Sequence, residues 1–408
     1  MDSRRDGAAL PVERAHFVVV NQALGPFYRR VVAALSQRGH RVTVLSGENT
    51  DFSEPAVTVI AGPPADRSTI WTRARSWASF LRFAFLNVPK HHDKAVVLSS
   101  SNPPLLPHVC AYVGTHHTRH VARVLDVYPD VMRAHPRVDG WPVVQRLWRI
   151  GNRYAYRRCT CVMTLGEVMA STLSSYTSHR PLVIPDWSTI DPTSVPARDA
   201  NPMRVELGLG SRLTVLYSGN LGLTHDAGIL VKAATQFIDD DNVRFVIVGE
   251  GAQHDRLRTD AHARGVENLF VFLPRQTAER LPLSMGLGDF SVVTVARGAE
   301  TTCMPCKTYD YLAAGSAILA IVQRPSDLAN VVDTHRCGVV IAPGDVSAVV
   351  AAIRDALQQD DRFQQMRAAA RRAATEVFSA QIQCARLVEL LEAQASLLAA
   401  GRVSAHSS

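Results

Sequence analysis

The residues best suited to chemistry lie in the segment Met304–Gly315, MPCKTYDYLAAG. The composition of its second half predicts a helix that ends at Gly315, and Pro305 suits the first turn of that helix. Lys307 then lies near the helix N-terminus, where a cation is unfavourable for the helix dipole unless an anion binds there. Asp310, one turn further on, shares the face of Lys307. A lysine for phosphate and a carboxylate for ribose hydroxyls suit a nucleotide; the alternative is a surface ion pair.

A second candidate is the glycine-rich loop Tyr217–Gly222, YSGNLG, which follows a predicted strand and precedes a predicted helix. Gly219 and Gly222 would let backbone N–H groups approach a phosphate at the helix N-terminus. The loop matches neither the Walker pattern nor GxGxxG. A plain tight turn is the alternative interpretation.

Carboxylates and histidines supply candidates for proton transfer and for binding hydroxyl groups. Asp126 and Asp130 lie in LDVYPD, directly after a predicted strand, and we expect Asp126 to act as a base or to bind a hydroxyl. A helix cap or loop acid is the alternative. Further candidates are His108, His116, His117 and His120. HHxxH lacks the Glu of a zinc motif, and the pair Cys303 and Cys306 has no second ligand pair, so we expect no metal site.

The elements that must position these residues are short apolar runs alternating with helical segments. The first series begins at HFVVVNQ and RVTVLSG, and a second begins after the polar stretch 188–202 with RLTVLYSGN and NVRFVIVGEG. This alternation predicts an α/β protein with two doubly wound parallel-sheet domains facing a cleft, where ligands bind beyond the carboxyl ends of the strands. The expected boundaries are 1–200, 201–370, helices over 371–400, and a loose tail over 401–408.

Composition and charge narrow the class of protein. The chain has 408 residues, 47% hydrophobic and 20% charged, which excludes a disordered or collagen-like chain. Its formal net charge is +7, and residues 1–200 carry 24 basic against 15 acidic side chains. No apolar run is long enough to span a membrane, and the first residues do not resemble a secretory signal. The odd number of scattered cysteines indicates a reducing cytoplasm.

Two segments that are both basic and rich in apolar residues favour binding of the positively charged N-terminal half, residues 1–200, to an anionic membrane surface. In residues 66–94, the predicted helical stripe and its flanks consist of Ile70, Trp71, Ala74, Trp77, Phe80, Leu81, Phe83 and Phe85, with nearby Arg67, Arg73, Arg75, Arg82, Lys90 and Lys94. A second basic stripe comprises Arg146, Arg149, Arg153 and Arg157, near Trp141 and Trp148. The alternative is that the apolar stripe packs on the N-terminal sheet. We expect no nucleic-acid partner, since no nucleic-acid-binding motif is present.

Several motifs in order carry a resemblance to a known family. They are VNQALGPFYRR, SSSNPPLLPH, VLDVYPD, VIPDWS, YSGNLGLTHD, FVIVGEG, NLFVFLP, PCKTYDYLAAG and CGVVIAPGD. Together, over about residues 16–355, they resemble the GT-B retaining glycosyltransferases of family four, most of all the bacterial exopolysaccharide and O-antigen branch. The resemblance implies a GT-B architecture of two Rossmann-like domains. The N-terminal one would bind acceptor, the C-terminal one nucleotide-sugar, and the final helices would cross back to the N-terminal domain.

The resemblance also implies roles for individual residues. Lys307 and Asp126 would be catalytic, Lys307 by contacting the donor diphosphate. The other implied donor-site residues are Gly25, Gly219, Asn220, Glu250, Arg297, Glu300 and Asp310. Asp130, His108 and His117 remain acceptor-side candidates. Lysine, arginine and helix N-termini can neutralise a departing diphosphate, so we expect neither an obligate metal nor a cofactor.

The chain departs from the family pattern at three positions. Thr302 stands where the first acid of the E-x7-E pattern is expected, with Glu300 nearby as a substitute. Cys306 replaces the usual Ser, and Asp186 replaces the usual Asn of the hinge. These changes bear on the identity of the sugar more than on the fold.

The expected function is transfer of a sugar, with retention, from a nucleotide-sugar to a polyprenyl-diphosphate-linked saccharide in cell-surface polysaccharide synthesis. The expected place is the inner face of the cytoplasmic membrane. Three alternatives stay open. They are a transferase for a soluble small-molecule acceptor, a nucleotide-sugar 2-epimerase, and a non-catalytic partner protein with a transferase-like fold.

Overall fold

The computed structural model describes residues 14–48, 51–66, 68–115, 117–134, 142–222, 226–358 and 360–405. Strands and helices alternate along these ranges and form two sheets. By compactness the chain divides into two units. One contains residues 1–122, 158–160 and 387–408, and the other contains residues 123–157 and 161–386. The domain boundaries expected from the sequence stay a prediction.

The first sheet has seven strands in the order β3-β2-β1-β4-β5-β6-β7. Their bounds are β1 His16–Asn21, β2 Arg41–Ser46, β3 Val57–Ala61, β4 Ala95–Ser100, β5 Arg119–Arg123, β6 Cys161–Thr164 and β7 Leu182–Val183. Strand β1 pairs in parallel with β2 and β4, its His16 opposite Arg41 and Ala95. These pairs confirm the parallel βαβ start predicted from the sequence. Helices in this part of the chain are α1 Gly25–Gln37, α2 Ile70–His91, α3 Leu106–Val113, α4 Pro142–Arg158 and α5 Glu167–Leu173.

Helix α2 packs on the first sheet through residues that include part of the stripe expected at the membrane and its flanks, among them Phe80, Leu81 and Phe83. Phe80, Ala84 and Val88, spaced four residues apart, are fully buried against Val18, Val20 and other core residues. Ala74 and Phe85 of the expected stripe are exposed, while Trp77 and Leu81 are half-buried. Helix α2 therefore buries part of its apolar surface in the core, while Trp71 is 84% and Phe85 45% exposed, so membrane contact by this helix stays a prediction. Arg67 lies outside the described residues.

The second sheet has six parallel strands in the order β10-β9-β8-β11-β12-β13. They are β8 Leu213–Ser218, β9 Val243–Val248, β10 Phe270–Leu273, β11 Phe290–Thr294, β12 Ala317–Ile321 and β13 Gly338–Ile341. Strands β8, β11 and β12 are buried along their whole length, as the near-continuous apolar runs predict. Strand order reverses between β8 and β11, so the loops after these two strands flank a topological switch point.

The remaining helices complete the fold. They are α6 Pro202–Glu206, α7 Gly228–Ala234, α8 His254–Ala263, α9 Leu281–Met285, α10 Lys307–Ala314, α11 Asp327–His335, α12 Val346–Gln358, α13 Asp360–Arg372 and α14 Ala380–Ala405. A π-helical turn, Ala373–Val377, separates α13 from α14. In the part of the chain that the structure describes, no helix is both long and apolar enough to cross a bilayer.

The C-terminal helix α14 differs from expectation at its end. Its backbone stays helical to Ala405, where the sequence analysis expected a loose tail, and residues 406–408 lie outside the described ranges. An alanine- and leucine-rich sequence favours this continuation. Within the first unit, Glu392 of α14 accepts hydrogen bonds from Arg38 at 2.6 Å and from the buried His40 at 2.9 Å. These bonds tie the last helix to the segment between α1 and β2.

Candidate functional site

Loops after neighbouring strands of the second sheet are locked together by glycines. A Cβ on Gly249, whose φ is +139°, would lie 2.0 Å from the carbonyl oxygen of Gly219. A Cβ on Gly251 would meet the carbonyl of Leu221 at 2.6 Å. The N–H of Leu221 donates to the backbone carbonyl of Glu250 at 2.9 Å, so a backbone hydrogen bond also joins the two loops. Glycine is required here because two backbones touch.

Gly219 leaves room for the Lys307 ammonium. Gly219 has φ +134°, and a Cβ on it would lie 3.1 Å from Lys307 Nζ. Its own N–H donates to the carbonyl of Val248 at 2.9 Å. This N–H therefore prolongs the sheet pairing, and the approach of other backbone N–H groups of the loop to a phosphate stays a prediction. Gly219 thus contributes to the site because it has no side chain in the space that Lys307 Nζ occupies.

Lys307 begins α10 and points its Nζ atom at the glycine loop. Nζ is buried and lies 3.9 Å from the centre of the Tyr217 ring. Among the described residues it has no hydrogen-bond acceptor. Burial lowers the pKa of Lys307 to about 8. A buried cation without an acceptor, at the positive end of a helix, is a site prepared for an anion.

Asp310 lies one turn further along α10 and is held by the segment before α6. Its Oδ1 accepts three hydrogen bonds, from Ser188 Oγ at 2.9 Å and from the N–H and Oγ1 of Thr189 at 2.7 and 3.0 Å. Burial raises the pKa of Asp310, and these bonds oppose that rise. The carboxylate therefore fixes residues 188–189 against α10, in addition to the ribose contact that the resemblance implies.

Asp126 is joined by backbone to the loop that leads into α10. It forms an isolated antiparallel bridge with Cys303, and the N–H of Val127 donates to the carbonyl of Thr302 at 2.9 Å. Burial raises the pKa of Asp126 to about 6. Burial of the neighbouring Cys303 thiol, and to a smaller extent the charge of Asp126, raises the pKa of that thiol to about 12. The structure therefore brings Asp126 next to the segment that carries Lys307, four residues on from Cys303.

Asp130 is engaged in a structural network. One of its oxygens accepts from Arg149 Nε and Nη2 at 3.1 and 3.0 Å, and the other accepts from the hydroxyl of Tyr176. Only 8% of Asp130 is exposed. With both oxygens bonded, the arrangement favours a structural role over acceptor binding.

The other expected donor-site residues differ in their surroundings. Arg297 is exposed, and its guanidinium donates to the carbonyl of Pro343 at 3.1 Å. Glu300 accepts from the N–H of Gly298 in its own loop, and Glu250 is exposed.

Thr302, at the position of the first expected acid, is 3% exposed and donates to the carbonyl of Ala299. Buried as it is, Thr302 supports the loop. The side chain of Asn220 is exposed beside Gly219.

The remaining candidates belong to the first unit. Gly25 starts α1 with φ +54° and has open space around its Cα. His117 is exposed, and His108 is half-buried. His120 is a core residue between Ser99 Oγ at 2.7 Å and Cys159 Sγ at 3.3 Å, and burial lowers its pKa to about 3. His116 lies outside the described residues. Within the described ranges, no group of His, Cys, Asp or Glu could hold a metal ion.

Sequence reasoning missed three supporting residues. Tyr217 supplies the ring under Lys307, and the Tyr311 hydroxyl bridges both backbone groups of Ser218, at 2.7 Å from its nitrogen and 3.0 Å from its oxygen. Asp327 at the start of α11 accepts from the N–H groups of Val168 and Met169 in α5, both at 2.9 Å. The aromatic residues in YSGNLG and YDYL were the available signal, since buried tyrosines usually have a partner for their hydroxyl.

Comparison with known proteins finds glycosyltransferases similar to this chain. Residues 201–373 match the family described as "Glycosyl transferases group 1". WcaI of Escherichia coli (strain K12), named as a glycosyl transferase of colanic acid biosynthesis, is 32% identical over 179 residues. That match covers 43% of this chain and only 44% of WcaI. WbjE of Pseudomonas aeruginosa, named as a glycosyltransferase, is 23% identical over 85% of this chain and 89% of its own length.

Solved structures show the fold. WaaG, a glycosyltransferase involved in lipopolysaccharide biosynthesis, superposes with a TM-score of 0.66 at 15% identity, over 92% of this chain and 99% of WaaG. Anabaena HepE in complex with UDP and glucose superposes with a TM-score of 0.70 at 15% identity, over 93% of this chain and all of HepE. The expected GT-B fold of two Rossmann-like domains is thereby confirmed. Residues 201–373 thus match the glycosyl transferases group 1, the chain has the GT-B fold, and this match together with the glycosyltransferase relatives supports a transferase.

Proposed function

We propose that this protein transfers a sugar, with retention of configuration, from a nucleotide-sugar to a lipid-linked saccharide at the inner face of the cytoplasmic membrane. The observation that carries the donor half is the buried Nζ of Lys307, which lacks an acceptor among the described residues. The complex of HepE with UDP and glucose supports a nucleotide-sugar donor. The acceptor class is supported by WcaI and WaaG, named for colanic acid and lipopolysaccharide biosynthesis. Retention rests on the family resemblance.

The proposed reaction breaks the bond between the sugar and the diphosphate. Negative charge then grows on the leaving nucleoside diphosphate, and the Lys307 ammonium together with the N-terminus of α10 would neutralise it. This arrangement is fixed before the substrate arrives, because the Tyr217 ring and the space at Gly219 already hold Nζ in place. No metal ion is required for this step in the proposal.

The proposed acceptor side centres on Asp126. A hydroxyl that attacks the sugar must lose a proton, and a carboxylate with a pKa of about 6 can accept one near neutral pH. The backbone bridge from Asp126 to Cys303 would hold the carboxylate against the donor loop. Whether Asp126 takes the proton or binds the hydroxyl, the proposal requires its ionised form.

The test is a transfer assay with radiolabelled UDP-, GDP- and dTDP-sugars and lipid-linked saccharides extracted from bacterial membranes. We expect label to enter the organic phase with one donor class, unchanged by EDTA, and to be lost in Lys307→Met. Nuclear magnetic resonance of the product would show the donor's anomeric configuration. Label on a water-soluble acceptor, or interconversion of the sugar without acceptor, would replace the proposal with the soluble-acceptor transferase or the epimerase.

A further inference from the structure

Helix α4, Pro142–Arg158, presents a stripe of large apolar side chains to solvent. Val143 is 69% exposed, Leu147 63%, Ile150 53% and Tyr154 56%. Their spacing of four, three and four residues places them on one face of an α-helix. Apolar residues at this spacing normally face a core, so an uncovered stripe indicates a surface that another body covers.

The opposite face of α4 is already anchored, which fixes the direction of the apolar stripe. Asn152 is fully buried and donates to the carbonyl of Tyr128 at 2.6 Å. Trp148 stacks on the Tyr128 ring with centroids 5.8 Å apart, and Arg149 binds Asp130. With these bonds made, the helix cannot turn its apolar stripe inward without breaking them.

The charged side chains of α4 itself are all positive. The α4 sequence contains five arginines and no acid, and four of the arginines are exposed, among them Arg146, Arg153 and Arg157. On a helical projection these three lie along one edge of the apolar stripe. An apolar face bordered by cations matches an anionic lipid surface, where side chains enter the interface and arginines meet headgroups. A symmetric pairing of two copies through this face would bring like charges together, which disfavours that occupant.

We propose that the exposed face of α4 docks onto an anionic membrane, with Val143, Leu147, Ile150 and Tyr154 in the interface. The inference deepens the proposed function, since a lipid-linked acceptor would be met at this surface. The chemistry required of the partner is a negatively charged phospholipid headgroup above an acyl layer.

The test is vesicle flotation of the full chain without substrates, using phosphatidylcholine vesicles with and without phosphatidylglycerol. We expect the wild type to float with the anionic vesicles and the double variant Leu147→Glu/Ile150→Glu to lose at least about tenfold in partitioning. The matched control is Val205→Glu/Ile238→Glu, at two other exposed apolar positions, which should float like the wild type. The double variant Arg146→Gln/Arg157→Gln should weaken binding to the anionic vesicles by about fivefold or more. Its binding to pure phosphatidylcholine vesicles should not change.

Equal flotation of the α4 variant and the control would overturn the inference, as would a wild type that does not float. Light scattering tests the other occupant, because a dimer that the α4 double variant dissociates would assign the face to a second copy. Circular dichroism and nucleotide binding of each variant show that the fold and the donor site are intact. Transfer to lipid-linked acceptor without vesicle binding would leave the proposed function standing and remove only this inference.

Discussion

The Nζ atom of Lys307 lies 3.9 Å from the centre of the Tyr217 ring, so the cation of the proposed donor site contacts an aromatic face. Such a contact contributes about 0.5–2 kcal/mol. We expect Tyr217→Leu to weaken nucleoside diphosphate binding by about two- to thirtyfold, whereas Tyr217→Phe keeps the ring and loses only the hydroxyl bond to Asn220. Calorimetric titration of both variants measures the difference. Equal loss in the two would show that the ring does not hold the cation.

Binding of a nucleoside diphosphate should weaken in alkaline solution because of Lys307. Its pKa is lowered to about 8 in the free protein, so the side chain is charged below that pH and loses its proton above it. Affinity should then fall by up to about tenfold per pH unit above pH 8. Lys307→Arg is the control, since arginine stays charged and its affinity should be flat over the same range. A flat profile in the wild type contradicts the role of the ammonium.

Transfer activity should depend on the ionised form of Asp126. Burial raises its pKa to about 6, so kcat/KM should fall as pH is lowered through that value. Asp126→Asn should reduce kcat by about 100-fold or more while leaving nucleotide binding unchanged. The pH–rate profile and a donor titration check both statements. Full activity of Asp126→Asn would exclude it as the base or hydroxyl binder.

Gly249, in the loop after β9, should tolerate an added side chain far less well than Gly265, which follows α8. Gly249→Ala places a Cβ 2.0 Å from the Gly219 carbonyl oxygen and should cost about 3 kcal/mol or more of unfolding free energy. Gly265, with φ +70° and open space around it, is the matched control, and Gly265→Ala should cost about 1 kcal/mol. Urea denaturation measures both. Similar losses would mean that the loops relax apart without cost.

The strands could be predicted because buried parallel strands are continuous apolar runs, as in HFVVV and AILAI. Lys307 could be predicted because a lysine at a helix N-terminus has an electrostatic reason to be there. The bridge from Asp126 to Cys303 could not, because it depends on distances between segments far apart in sequence. Periodicity did not separate the buried face of α2 from its exposed one, and it predicted the basic stripe of α4 without the exposed apolar stripe beside it. The same 3.6-residue pattern describes a face on a core and a face on a membrane.

The central claim is that Lys307 holds the diphosphate of a nucleotide-sugar, and nucleotide binding tests it most directly. Calorimetry with UDP, GDP and dTDP should show selective binding by the wild type and a loss of about 10- to 100-fold in Lys307→Met. Lys232→Met, at an exposed lysine of α7, is the matched control and should bind like the wild type. Binding that survives Lys307→Met unchanged, or no binding of any of the three nucleotides by folded protein, would contradict the claim.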